Sequence, residues 1–287
     1  MSDQLTIKDI AKYCGVGVST VSRAINDDPG ISPKTKERVL KVVKKFHYVP
    51  NNSARNLKMQ ESNTVALIVR GIDNIFFQSM LDGFQKELYR NGYDFLFHLV
   101  DEKSNVAISA IELAKEKRLK GVIILGGMME NPSEDLEQLA VPYVLCTVAH
   151  SMYTPTPNVN LVAIDDAMES FKAVKYLIDK GHKRIAIISG REKDYAVGGQ
   201  RLRGYKKALE SEGIPLDDDL IGYMEEDIPE FTTENGYAVA KKLLKRTDFT
   251  ALYCVSDMIA IGAYKAISEA GLSIPDDISV VGFDGID

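Results

Sequence analysis

The sequence predicts an α/β protein in two unlike parts: an N-terminal all-α domain, then a larger region of two doubly wound parallel-sheet subdomains. Three observations predict it. Residues 6–48 carry helical periodicity throughout and no strand pattern. From Asn63 onward, short and nearly continuous apolar runs alternate with helical stretches. That alternation is the mark of parallel strands covered on both faces. It also occurs as two weakly similar blocks, before and after about Asn160. Two such blocks imply two lobes with a ligand cleft between them.

Each element follows from local signals. Thr6 caps the first helix, with Asp9 three positions on as its box partner. Ile7, Ile10, Ala11 and Tyr13 form its expected apolar face, and Gly15 ends it. A second helix is expected over about Val18–Ile25, then a turn through Asn26, Asp27, Asp28, Pro29 and Gly30. Ser32 caps a third helix with Pro33 at its first position. Val39, Val42, Val43 and Phe46 make its inward stripe. Residues 49–61 are a separate hinge segment, in which Ser53–Met59 offers about two helical turns, too short to be stable alone in water. Strands are expected at Val65–Val69, Phe95–Val100, Val122–Leu125, Tyr143–Cys146, Leu161–Ile164, Ile185–Ser189, Ala251–Val255 and Ser279–Phe283. The helices expected between them include Phe76–Asn91, Asp166–Lys180, Arg201–Gly213 and Thr233–Arg246. Gly92, Gly181, Gly213 and Gly271 stand where helices should end. The domains are therefore read as 1–48, a hinge at 49–61, and subdomains at 62–162 and 163–287.

Bulk properties narrow the function classes. The 287 residues suit about two domains. No apolar run reaches the ~20 residues of a membrane span. Met1–Asp9 is polar and no apolar stretch follows, so no signal peptide and a cytoplasmic location are expected. Cys14, Cys146 and Cys254 are scattered in apolar contexts and are read as reduced and structural. The net charge of −6 hides an asymmetry: residues 1–60 hold 11 basic and 5 acidic residues, the remainder 24 and 36. A basic arm on an acidic body suits phosphate neutralisation, although a solvated basic face would have the same composition.

The first two helices have the proportions of a helix-turn-helix, whose second helix enters the DNA major groove. Val16, Val21 and Ile25 would face its core, while Val18, Ser19, Ser22 and Arg23 face out. Ser and Arg can bond bases or phosphates, and Val can pack on a thymine methyl. Thr6 and Lys8 would reach phosphates from the first helix. The Gly15-x-Gly17 pair is no dinucleotide loop, since no strand precedes it and a third Gly is missing.

These residues resemble the lactose/galactose repressor family of transcriptional regulators. The resemblance rests on Thr6-Ile7-Lys8-Asp9-Ile10-Ala11, Gly15-Val16, Thr20-Val21-Ser22-Arg23 and Asn26, then Tyr48-Val49-Pro50-Asn51 and Ala54-Arg55-Asn56-Leu57. It continues through Gly181-His182-Lys183-Arg184-Ile185-Ala186, Arg201-Leu202-Arg203-Gly204-Tyr205, Asp257-Met258-Ile259-Ala260-Ile261-Gly262 and Pro275–Asp284. It implies a periplasmic-binding-protein-like sensor behind the DNA-binding domain, and a homodimer on a pseudo-palindromic double-stranded operator. It implies that 49–61 becomes a hinge helix on DNA. Leu57 would be the minor-groove wedge, with Asn51, Ala54, Arg55 and Lys58 nearby on sugar-phosphate or groove edges. Thr20 and Asn26 join the DNA-contacting set. For the effector, a sugar, the resemblance implies Arg201 and Asp284, with Ser256 and Asp257 after another strand end. Phe76, Phe77 and Phe231 would be its aromatic faces, with Tyr195 also lining the cleft.

There are departures. Gly17 replaces the family's usual Ser, Ser256 its frequent Asn, and Asn74-Ile75 its common Asn-Pro. Family members also continue past Asp287 with strands that cross back to the first lobe, and this crossover segment is expected to be missing here. Some relatives respond instead to a phosphorylated phosphocarrier protein, an alternative the residues leave open. The competing class is an enzyme or a transport-binding protein on the same sensor fold. His47, His98, His150 and His182 lack metal spacing. No Gly-x-Ser-x-Gly elbow or P-loop appears. No catalytic residue, cofactor, metal or membrane partner is expected.

Overall fold

The computed structural model describes residues 6–25, 28–46, 62–70, 75–101, 104–126, 129, 132–147, 159–194 and 196–286. The chain divides into two units, residues 1–60 and 61–287.

Among the described residues the first unit has three helices: α1 (Ile7–Cys14), α2 (Val18–Ile25) and α3 (Pro33–Lys45). Thr6 and Asp9 form the expected reciprocal box at the start of α1: the Asp9 amide donates to Thr6 Oγ1 and the Thr6 amide to the Asp9 carboxylate. Gly15 closes α1 at φ 60°, a left-handed position that suits glycine. The Gly17 carbonyl accepts from the Thr20 and Val21 amides and so opens α2. Ser32 caps α3 by accepting from the Thr35 amide, with Pro33 in the first turn. Ile10, Ala11, Cys14, Val21, Ala24 and Val39 are the buried core of this unit. Tyr13 departs from expectation: it is 61% exposed, stacked on Phe46 with ring centroids 4.7 Å apart. The i, i+3, i+4, i+7 stripe runs through Ile7, Ile10, Ala11 and Cys14, so Cys14 takes the inward place.

Among the described residues the second unit holds two all-parallel sheets. The first comprises β1 (Thr64–Arg70), β2 (Asp94–Val100), β3 (Gly121–Leu125), β4 (Tyr143–Cys146) and β5 (Leu161–Val162) in the order β2-β1-β3-β4-β5. Helices α4 (Ile75–Arg90), α5 (Val106–Lys117) and the short α6 (Pro132–Asp135) lie between these strands in sequence. Alternate residues of β1 serve opposite faces. Ala66 and Ile68 join the core that includes Ala107, Ala110 and Leu113 of α5. Leu67 and Val69 join the one that packs Phe77, Met80 and Phe84 of α4. That division is the period-2 geometry of a strand buried on both sides.

The second sheet comprises β6 (Ile185–Ser189), β7 (Ile221–Tyr223), β8 (Ala251–Cys254) and β9 (Ser279–Val281) in the order β7-β6-β8-β9. Its helices are α7 (Asp166–Asp179), α8 (Val197–Ser211), α9 (Thr233–Arg246) and α10 (Asp257–Glu269). The strand order repeats that of β2-β1-β3-β4, so the two similar blocks seen in sequence are a repeated topology. Gly92, Gly181, Gly213 and Gly271 all follow helices with positive φ, as their positions predict. Gly204 has another role. A Cβ there would run into the Ala167 carbonyl and Ser170, so only glycine lets α8 pack this closely on α7.

Strand ends differ from expectation by one or two residues: β5 stops at Val162, β8 at Cys254 and β9 at Val281. The short β7 is an addition. It has three residues with Gly222 at its centre, where a Cβ would strike Val239 of α9. So brief a run, interrupted by glycine, carries no strand pattern. The three cysteines are free and buried. Among the described residues, no helix is long and apolar enough to cross a membrane, and no group of His, Cys, Asp and Glu is placed to hold a metal ion.

Candidate DNA-reading and effector sites

In the first unit, α2 turns Val21 and Ala24 into the core. Its opposite face carries Val18, Ser19 and Arg23 in solvent, with Thr20 and Ser22 half-buried. Arg23 makes a long pair to Asp28, 3.9 Å with both side chains well exposed, which is worth little in stability. Lys8 is exposed on α1. Thr6 is exposed too, but its hydroxyl is held by Asp9 at 2.6 Å. The helix therefore presents a hydroxyl, a methyl-bearing side chain and a guanidinium on one face, a set able to bond base edges and pack on thymine.

In the second unit, the carboxyl ends of β8 and β9 and the starts of α7 and α8 converge on Arg201. This arginine is 6% exposed, unusual for a guanidinium. Nε donates to Asp166 at 2.9 Å, and Nη1 to Asp284 at 3.3 Å and to the Val255 carbonyl. The Phe283 ring lies beneath the guanidinium, 3.7 Å from its carbon to the ring centroid. Burial raises the pKa of both carboxyls against the pull of Arg201, Asp284 to about 6. Asp284 sits at φ 101°, a strained conformation for a residue with a side chain. Asp257 holds the turn around it by accepting from the Ile286 amide at 2.9 Å. A buried, paired and backbone-strained acid–arginine cluster at the carboxyl edge of a parallel sheet is where such folds bind ligands.

Residues 62–287 match the family described as periplasmic binding proteins and sugar binding domain of LacI family, and residues 6–51 match bacterial regulatory proteins, lacI family. The chain belongs to the LacI family. It is a DNA-binding transcriptional regulator of that family, as its relatives are. It is 41% identical over 286 residues to the HTH-type transcriptional regulator MalR of Clostridium butyricum, covering 99% of this chain and 84% of that one. It is 31% identical over 282 residues to catabolite control protein A of Priestia megaterium, covering 98% and 82%. Among solved structures, a CelR–cellobiose complex matches with 29% identity and a TM-score of 0.67, over 98% of this chain and 83% of that one. The lac repressor dimer bound to operator and the anti-inducer ONPF matches with 24% identity and a TM-score of 0.79, over 99% and 84%. That last likeness concerns the fold.

The other residues expected in this LacI-family sensor are placed variously. Ser256 is 1% exposed and caps α10, its hydroxyl accepting from the Ile259 amide at 3.3 Å. Phe231 is half-buried against the second-sheet core at φ 56°. Phe77 packs on Leu67, Val69, Leu125 and Cys146, and Phe76 lies beside it with centroids 5.6 Å apart. Tyr195 lies outside the described residues, as do Asn26, Asn51, Ala54, Arg55, Leu57 and Lys58.

Two participants escaped the sequence reading. In the sequence Asp166 stands out only as the first residue of the helix expected over Asp166–Lys180. Asp165 caps α7, accepting from the Met168 amide at 2.9 Å, but Asp166 is a partner of Arg201. Asn235, fully buried, holds the 225–229 loop ahead of Phe231: its Oδ1 accepts from the Glu225 amide at 2.9 Å and its Nδ2 reaches the carbonyls of Glu225, Ile228 and Pro229. A buried polar residue in the first turn of α9 leaves no distinguishing mark in a single sequence.

Proposed function

We propose that this LacI-family regulator is a repressor, and that a sugar bound between the two lobes of its sensor controls its grip on operator DNA. The observation that carries the effector half is the buried Arg201, held between Asp166 and Asp284 over Phe283. A charge fixed in place before the ligand arrives needs no reorganisation on binding, and a guanidinium flanked by carboxylates can donate to and accept from neighbouring hydroxyls. In this reading Nη2 of Arg201 and the Asp284 carboxylate bond the hydroxyls, and Phe231 with Phe76 supply apolar faces for the ring. The similar CelR is described with cellobiose bound, which favours a sugar.

The DNA half rests on α2. Two copies of the chain would place two reading helices on half-sites of a pseudo-palindrome. Residues 49–61 would fold into a hinge helix there, with Leu57 wedged into a minor-groove step. Closure of the lobes on effector would shift the hinge equilibrium, with a coupling of ~1–3 kcal/mol giving about 5–150-fold in affinity. The lobes are taken as 62–162 and 163–287, behind a reading domain at 1–48.

The test is a fluorescence-anisotropy titration of operator fragments, with and without a sugar panel. Leu57→Gly is expected to weaken operator binding at least ~10-fold while sugar binding, read by calorimetry, stays unchanged. Equal operator affinity in that variant removes the wedge. If no sugar changes operator affinity, the effector assignment fails.

A further inference from the structure

The N-terminus of α8, the helix that carries Arg201, is already occupied. Its free amides would ordinarily attract an anion. Here the carboxylate of Asp194 fills that place: it accepts from the Ala196 amide at 2.6 Å, and the Gly198 and Gly199 amides also bond it. The space is shaped around this acid. A Cβ on Gly190 or Gly198 would collide with the Asp194 carboxylate, and one on Gly199 with the Asp194 carbonyl. Burial raises the Asp194 pKa while those three amides and Arg191 lower it.

The cations of the same sheet edge are matched as well. Arg191, two residues beyond β6, pairs with Glu230 at 2.8 Å and lies 3.4 Å from Glu226 through a buried Nε that makes no hydrogen bond among the described residues. Arg201 faces two carboxylates whose side chains, like its own, are almost wholly buried. Lys193 in the intervening loop is exposed, where its charge is solvated. Sugars and sugar phosphates share the same hydroxyl chemistry, so the two classes are separated by charge. An incoming phosphate at this edge would meet Asp166, Asp194 and Asp284, while Arg191 and Arg201 each already face two carboxylates. Like charges brought together in a desolvated site oppose binding strongly.

We infer that the effector is an uncharged, hydroxyl-rich molecule and that Asp194 is a specificity-determining residue that excludes phosphorylated sugars. This rests on the sugar reading above and narrows it. A neutral sugar uses the paired charges as fixed hydrogen-bonding groups and leaves the Asp194 cradle closed.

Calorimetry on the full chain tests it, with glucose, maltose and cellobiose set against glucose 6-phosphate, maltose 6-phosphate, cellobiose 6-phosphate and inorganic phosphate. The expected result is that a neutral sugar binds and its phosphorylated counterpart binds at least ~100-fold more weakly. Asp194→Gly, which empties the cradle, is expected to gain inorganic phosphate binding that the parent lacks. Should that variant unfold by circular dichroism, Asp194→Asn keeps the shape without the charge and is expected to narrow the discrimination at least ~10-fold. A parent that takes a phosphorylated sugar as tightly as the neutral one overturns this inference and leaves the sugar reading in place. A panel in which no neutral sugar binds overturns both. Unchanged discrimination in Asp194→Asn removes Asp194 from the selectivity.

Discussion

In the N-terminal unit Val18, Ser19 and Arg23 of α2 stand in solvent, whereas in the second sheet of the larger unit the side chains with recognition chemistry are buried and already paired. Arg23 illustrates the first case, 63% exposed with the Asp28 carboxylate 3.9 Å away. Arg201 illustrates the second, 8% exposed in its side chain and bonded to Asp166, Asp284 and a backbone carbonyl. The difference follows from the partner each is suited to meet. DNA brings a dense line of phosphates, so a solvated guanidinium gains from counterion release when it arrives. A small neutral ligand brings no such charge. Its site must hold polar groups in place beforehand and exclude water around them. The exposed face should thus be tuned by salt and tolerate substitution in stability terms. The buried cluster should be tuned by pH and tolerate little.

The largest effect is expected where that pairing is broken. Arg201→Ala leaves Asp166 and Asp284 buried without their cation, and removing one partner of a buried ion pair costs about 3–5 kcal/mol. Urea unfolding should show a loss of that size, together with loss of the effector response. Arg201→Lys keeps the charge but not the fork that bonds Asp166 and Asp284 together, so it should fold yet respond weakly. A fully responsive Arg201→Lys would count against the pocket.

The next effect belongs to the exposed face. Arg23→Ala should leave the urea midpoint nearly unchanged, since the Asp28 pair is long and solvated. Operator binding should weaken by about 1–3 kcal/mol if Arg23 bonds a base edge, and the salt slope should fall by about 1 if it meets phosphate. A large stability loss without any loss of operator affinity would reverse the contrast drawn between the two arginines.

How far each region could be read in the sequence follows the same division. The reading helices were legible because their signals are local: Thr6 with Asp9, Gly15, and Ser32 with Pro33 all act within a turn or two. Tyr13 was misplaced because apolar character outweighed its position on the helix, and Cys14 is the residue one step round. The strands were legible through β-branched and apolar runs, but β7 was not, being three residues centred on a glycine. Arg201 and Asp284 came from resemblance to a family. Asp166 and Asp194 did not, because their roles arise from contacts and loop closure that leave no periodic trace: Asp166 lies 35 residues before Arg201. The hinge at 49–61 lies outside the described residues, so Leu57 still rests on resemblance alone.

The smallest expected effect also separates binding from stability most cleanly. Burial has raised the pKa of Asp284 to about 6. Such a group disfavours its ionised form in the folded chain. On its account alone the unliganded protein is most stable below the unfolded carboxyl value near 3.8 and loses that contribution as pH rises through about 6. Asp166, also raised by burial, acts in the same direction. Effector binding should run the other way. A sugar that donates hydroxyls to Asp284 needs the carboxylate, so affinity should be level above about pH 7 and fall roughly 10-fold one unit below the pKa. Calorimetry between pH 5 and 8 reads the binding trend, and thermal melts without ligand read the stability trend. Asp284→Asn should flatten both in that range, apart from what Asp166 contributes to the melts. If binding strengthened as the pH fell, Asp284 would be acting as a neutral donor, and the ligand would have to present an acceptor at that position.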